Sequence, residues 1–412
     1  MAIAVRLAAG LLMLGLSVSA WSAKKVDLDY HVKLLPQSDQ AEVRLSLSQG
    51  SAVRSLDFAL GREGSYSDFK ADGQWQIMPG ASGGEPRGLW QPSADKASLT
   101  YRVRLSHARK AEIYETRMTP DWALFRGDDL VPAARLDQQD GIELVSRLTF
   151  ELPAGWKSVE TTWPRIGKNK FRIDNVSRLF DRPTGWMLAG NLGSRRARLG
   201  DTEITVTSPK GQAMRRMEVL TLLTFVWPQV QAVFPRHPAK LLVVGASDPM
   251  RRGVFSGRDS IYLNSRTPLV SENGSSPLIR EVVQAIARLN DHQGSDWISE
   301  GLAQYYAIEL LRRAGGISDE RYAAIQARLG KEGKGVATLR GEHVNGAAVA
   351  RSVILLQELD REIRLKTHNK RSLDDLTQAV MRLESISTRE FVQVAESVIG
   401  ESSDVLDSKL LR

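Results

Sequence analysis

Two carboxylates on consecutive helices constrain this chain more than any other feature. Between Pro277 and Ala307, the residues Leu278, Ile279, Val282, Val283, Ile286 and Leu289 recur at helical spacing and give one apolar face. Asn290 to Asp296 is a polar, glycine-containing break. A second helix opens near Trp297 and carries Glu300, Tyr305 and Tyr306. Glu281 and Glu300 therefore lie on neighbouring helices that can pack together.

The remainder of the chain divides by period. From Lys24 to about Pro209 the pattern alternates with period two, as in Val26–Leu35, Ala41–Leu47, Leu99–Leu105 and Ile142–Leu152. Turn signals such as Ala71-Asp72-Gly73 and Pro153-Ala154-Gly155 separate the runs. Many short strands at this spacing predict an antiparallel β-sandwich over 24–209. Near Gly211 the period changes. Met214 to Val233 is apolar at helical period, and Pro228 inside it predicts a kink or break. Leu241–Gly245 reads as a buried strand and Gly253–Leu263 as an edge hairpin. Helices follow over Asp319–Leu329, with Ser318 as N-cap, and after Ser372, where Asp375 takes the capping-box position.

The first twenty residues read as a signal peptide. Arg6 supplies a small positive region, Leu7–Ser17 an apolar core and Val18-Ser19-Ala20 the small residues of a cleavage site. The apolar span suits a signal peptide better than a membrane helix. The sequence has no cysteine, which excludes a lipoprotein anchor and disulfides alike. The expected location is the periplasm or the medium, with no stable membrane anchor after cleavage. The formal charge of +8 is dispersed, without an Arg/Lys stripe interleaved with aromatics, so no nucleic-acid partner is expected.

The central stretch resembles the active-site helices of the thermolysin-like (gluzincin) metallopeptidases, within which it is most similar to the glycyl aminopeptidases. Their first helix carries H-E-x-x-H, two zinc-binding histidines and a water-activating glutamate. Their second carries W-x-x-E-G-x-x-x-Y-Y, whose glutamate is the third ligand. Trp297, Glu300, Gly301, Tyr305 and Tyr306 match the second motif. The first reads Arg280-Glu281-Val282-Val283-Gln284. Further likeness lies in Leu152–Trp156, in Leu179–Gly190 and in Gly346, Leu359, Asp360, Ile363, Arg364 and Ser372 to Asp375. The resemblance implies an α+β fold: the N-terminal β-sandwich, then a mainly helical thermolysin-like domain over 211–412 with a small edge sheet.

What it implies about activity is altered by the departures. Glutamine is a poor zinc ligand and arginine offers no lone pair, so Glu300 is the only retained ligand position and no metal site is expected. Glu281 stands at the water-activating position and His343 at that of the oxyanion-stabilising tyrosine, both as vestiges; a plain surface histidine is the other reading of His343. Ser256-Gly257-Arg258-Asp259 stands where the family holds substrate on an edge strand, or is simply a hairpin turn. Arg280, Gln284, Glu300, Tyr305 and Asp259 are the candidate binding residues. The expected function is an exported metallopeptidase homologue without zinc or activity, its cleft binding a peptide or a periplasmic protein. The alternative is an active zinc aminopeptidase-like enzyme with an atypical metal site drawn from Glu281, Glu300 and either His292 or His343. Arg280 is expected to reach across to Glu300, with Gln284 adding an amide contact; otherwise Arg280 swings to solvent and Glu300 caps its helix.

Overall fold

The computed structural model describes residues 23–80, 84–110, 112–174, 180–272, 274–341, 344 and 346–412. The signal-peptide reading and His343 lie outside the described residues.

Period-two alternation produces the sheets. In Lys24–Leu35 every second side chain from Val26 to Leu34 is buried. This strand is central in a seven-stranded sheet, between Ile142–Glu151 and Gln40–Leu47. A four-stranded sheet carries Val53–Ala59 and Arg87–Pro92, and a five-stranded sheet carries Trp122–Arg126 and Trp186–Gly190. Side chains of all three meet in one core around Tyr30, Phe58, Trp90, Tyr101, Phe125 and Phe171. The expectation of purely antiparallel pairing is corrected. Lys24–Leu35 runs parallel to Ile142–Glu151, with Val26 opposite Leu144. Period-two alternation sets which face is buried and is silent on strand direction.

A second core lies among the helices. Its sheet has the order Leu192–Leu199, Thr202–Pro209, Lys240–Ala246, Ser260–Asn264, Val254–Gly257. Thr202–Pro209 pairs parallel to Lys240–Ala246, and the helix Arg216–Val233 forms the crossover. Residues 192–209 are thus built into the sheet of the helical half, so the division expected at 209/211 cuts a strand–helix–strand unit. The Arg216–Val233 helix also runs unbroken through Pro228, correcting the expected break. Val226, Trp227 and Val230 on either side of it are buried, and that packing holds the turn together despite the lost N–H.

The halves are joined by a third cluster. Trp122, Leu124, Trp186 and Leu188 of the first pack on Leu242, Val244, Met250 and Tyr262 of the second. Trp186 donates its backbone N–H to Ser260 Oγ at 2.7 Å and its indole N–H to the Phe255 carbonyl at 3.0 Å. The hairpin Val254–Asn264 is therefore fixed to both halves, with Val254–Gly257 at the sheet edge.

Candidate functional site

The first central helix spans Pro277–Ala287. Ser276 caps it by accepting from Ile279 N at 3.2 Å, and Pro277 fits the first helical position, where no N–H is needed. Leu278, Ile279, Val282, Val283 and Ile286 are buried along its apolar face. Arg288, in the left-handed conformation, ends it. The second helix, Trp297–Arg313, starts at Asp296 and lies against the helix Gly346–Lys366. Gly301 permits that approach, since a Cβ there would meet Ser352 Cβ at 2.8 Å.

These helices bring together three of the candidate binding residues. Arg280 pairs with Glu300 across the helix contact through Nη2. Gln284, one turn on, donates to Glu300 Oε1 at 3.0 Å. Arg280 Nη1 also donates to Glu281 Oε1 at 3.0 Å. One guanidinium thus serves both carboxylates. Glu281 is buried and accepts from the Ser256 backbone N–H of the edge strand at 2.8 Å. Burial pushes its carboxyl above the usual range, against the pull of Arg280 and the Ser256 contact.

The other candidates fall elsewhere. Tyr305 is 4% exposed, its ring packed edge-on to Tyr306, and is corrected to a core residue. Helical spacing cannot separate a buried face from a site-lining one. Tyr306 donates to, and Arg313 pairs with, Asp374 at the start of helix Leu373–Val380. Asp360 accepts from Leu373 N at 2.7 Å and pairs with Arg364. The likeness over Leu359–Asp375 is thus accounted for by helix-to-helix ties. Asp259 sits in the hairpin turn at φ 53° and is held by Arg288 at the end of the first helix. His292 is turned to Ser385, at 3.0 Å.

Two cavities flank the Arg280–Glu300 pair. One of about 220 Å³ is lined by Ser256, Gln284, Ser299, Leu302 and Ala303. The other, of about 550 Å³, is lined by Asp291, Asp296, Ser299 and Glu300. Sequence reasoning missed Asp291, which lies in the polar break without a motif. Ser299 donates to it, and burial pushes it up to about 6.

The donor set does not suit zinc. A tetrahedral site needs three lone-pair donors from His, Cys, Asp or Glu and one open position. At this point the chain offers Glu300, an amide already spent on Glu300, and a permanent cation. Among the described residues no cluster of three or more His, Asp and Glu is placed to hold a metal ion.

No protein-family model matches the chain, and no curated protein matches it. Solved structures do. An aminopeptidase N family protein from Idiomarina loihiensis superposes with a TM-score of 0.65 at 14% identity, covering 92% of this chain and 72% of its own. An M1 zinc metallopeptidase variant from Deinococcus radiodurans, solved with a Tyr-Ser-Ala substrate, gives 0.57 at 14% identity, covering 95% and 94%. Leukotriene A4 hydrolase from Saccharomyces cerevisiae gives 0.57 at 13% identity, covering 94% of this chain and 66% of its own. At these identities the likeness is one of fold: the chain has the mixed α+β fold of the M1-type metallopeptidases.

Proposed function

We propose that this chain is an exported peptidase-fold protein, akin to the glycyl aminopeptidases within the gluzincins, in which an arginine has taken the place of the catalytic zinc. The observation that carries the reading is the guanidinium of Arg280 between Glu281 and Glu300, with Gln284 on the same carboxylate. A fixed cation at the metal position repels a second one. Glu281, which would have to activate water, is committed to Arg280 and to the edge strand. Binding without hydrolysis is the function left to such a cleft, and its occupant is a peptide or an extended segment of a periplasmic protein. The flanking cavities and the sheet edge beside them supply the room.

The test is elemental analysis of protein purified without chelator, together with hydrolysis of a panel of aminoacyl and dipeptide substrates. The reading expects well under one zinc per chain and no turnover above the rate of an Arg280→Ala, Glu281→Gln variant. Stoichiometric zinc that survives dialysis, with turnover abolished by a chelator, would establish the atypical metal site instead.

A further inference from the structure

An unpaired strand at the edge of a sheet templates a further strand unless charge, irregularity or short length prevents it. The described residues form four sheets, each with two edges, and all but one of these edges are blunted. Ser158–Glu160 and Arg165–Gly167 have only three residues each. Tyr66–Ala71, His107–Lys110 and Ala134–Gln138 break register against their neighbours. Leu192–Leu199 carries Arg195, Arg196 and Arg198. Val254–Gly257 has four residues, and its Ser256 amide is taken by Glu281.

The exception is Gly73–Met78, at the end of the four-stranded sheet. All six of its residues pair in unbroken register with Arg87–Pro92. No charged residue occurs from Gly73 to Gly84. Ile77 is 57% exposed, and Gln74 and Gln76 are exposed on the opposite face. The strand is held firmly: the Trp75 ring stacks on Phe69 at 4.5 Å and lies over Gly88, where a Cβ would meet it at 2.3 Å. The ladder also shows which amides face outward. Ser93 N donates to the Asp72 carbonyl at 3.4 Å. Bonded and non-bonded pairs alternate along an antiparallel ladder. Gln74, Gln76 and Met78 therefore bond inward, and Gly73, Trp75 and Ile77 present their N–H and C=O groups to the free edge.

We propose that the Gly73–Met78 edge pairs with the same edge of a second copy of this chain, antiparallel about a two-fold axis at Trp75. Trp75 then lies opposite Trp75 of the partner subunit, and Ile77 opposite Gly73 of the partner subunit. These bonded pairs exchange about six main-chain hydrogen bonds, two for each pair. Charge and symmetry select a second copy as the occupant. The chain has a formal charge of +8, so copies repel over most of their surface, and this uncharged strip lets them approach without burying like charges. The three outward residues are symmetric about Trp75, as a self-complementary two-fold contact requires. The exposed Ile77 side chain meets a glycine, which offers no side chain to obstruct it. The pairing does not rest on the reading of the Arg280–Glu300 cleft, whose edge strand belongs to a different sheet.

A contact of this size makes a weak, concentration-dependent dimer. Sedimentation velocity of the mature protein between about 1 and about 300 µM is expected to show the shift from monomer to dimer. In this register Gln74 of one copy lies opposite Gln76 of the partner subunit. Gln74→Lys combined with Gln76→Lys should therefore weaken dimerisation at least about tenfold through like charges across the strands. Mixing that variant with Gln74→Glu, Gln76→Glu protein should restore dimers as heterodimers. A second readout uses the absence of native cysteine. Positions 74 and 76 form a non-bonded pair with Cα atoms about 4.5 Å apart, within disulfide reach. A mixture of the Gln74→Cys and Gln76→Cys variants should cross-link under mild oxidation faster than either variant alone. Melting temperatures verify the fold of each variant, and if the lysine pair does not fold the cysteine pair decides. A protein monomeric throughout the concentration range leaves the edge to a strand of another protein and overturns the proposal. A dimer indifferent to the lysine pair, or cross-linking no faster in the mixture, overturns it as well.

Discussion

Replacing Arg280 with alanine removes one guanidinium and leaves two carboxylates without their cation. Arg280 and Glu300 are 28% and 29% exposed, and Glu281 only 9%. Each carboxylate keeps one donor: Glu281 the Ser256 amide, Glu300 the Gln284 amide. The loss is therefore the cost of uncompensated, partly buried charge, about 1–3 kcal/mol. Solvent on the outer side of Glu300 moves its share toward the lower end. Adding Glu300→Gln to Arg280→Ala removes one of the stranded charges, so the double variant should be more stable than Arg280→Ala alone by about 1–2 kcal/mol. Urea unfolding of the wild type, both single variants and the double variant completes the cycle, with equal m-values as the check that the unfolded states match. The pH dependence supplies an internal control. Glu281 is already held above the ordinary range by burial, and Arg280 is what holds it down. A carboxyl raised in the folded state stabilises below its unfolded pKa and loses that contribution as pH rises through the folded value. Without Arg280 the rise is larger, so the deficit of Arg280→Ala should shrink as pH falls from neutral toward the ordinary carboxylate range. Additive single effects in the cycle, or a deficit independent of pH, would refute the coupling.

Restoring the two histidines tests the substitution of metal by arginine from the other direction: Arg280→His with Gln284→His rebuilds three ligands with Glu300 and should take up one zinc per chain by chelator competition. No uptake by the folded double variant would show that the helices are not spaced for a metal. Asp291, pushed up to about 6 from 3.8, should make the protein lose stability as pH rises between those values, a slope that Asp291→Asn should abolish in thermal melts. Gly301→Val should destabilise by about 1–3 kcal/mol, because its side chain would run into Ser352 and Leu356, and an unchanged melting temperature would argue against the close helix contact. Amino-terminal sequencing of exported protein should begin just after Ala20; an intact Met1 would make the leading segment an anchor.

Local patterns carried the parts of this protein that depend on neighbours along the chain. Ser318 and Ser372 cap helices where their sequence context says they should, because a cap is a contact within one turn. Alternation in Lys24–Leu35 marks its buried face, because side chains on a strand point to opposite sides by geometry. The Arg280–Glu300 pair was legible for a related reason: both residues occupy fixed positions on two consecutive helices, and a cation beside a buried carboxylate is the cheap arrangement. Contacts between distant segments were decided only by the fold. The parallel pairing of Lys24–Leu35 with Ile142–Glu151 joins strands more than a hundred residues apart, and either direction satisfies the same alternation. Tyr305 carries the same letter whether it lines a cleft or fills a core, and packing against Tyr306 settled the matter. Pro228 breaks a helix by local rules, yet the buried flanks of Arg216–Val233 hold it. Short-range geometry is written in residue order, whereas the burial and charge of a group depend on which remote surface the chain folds against it.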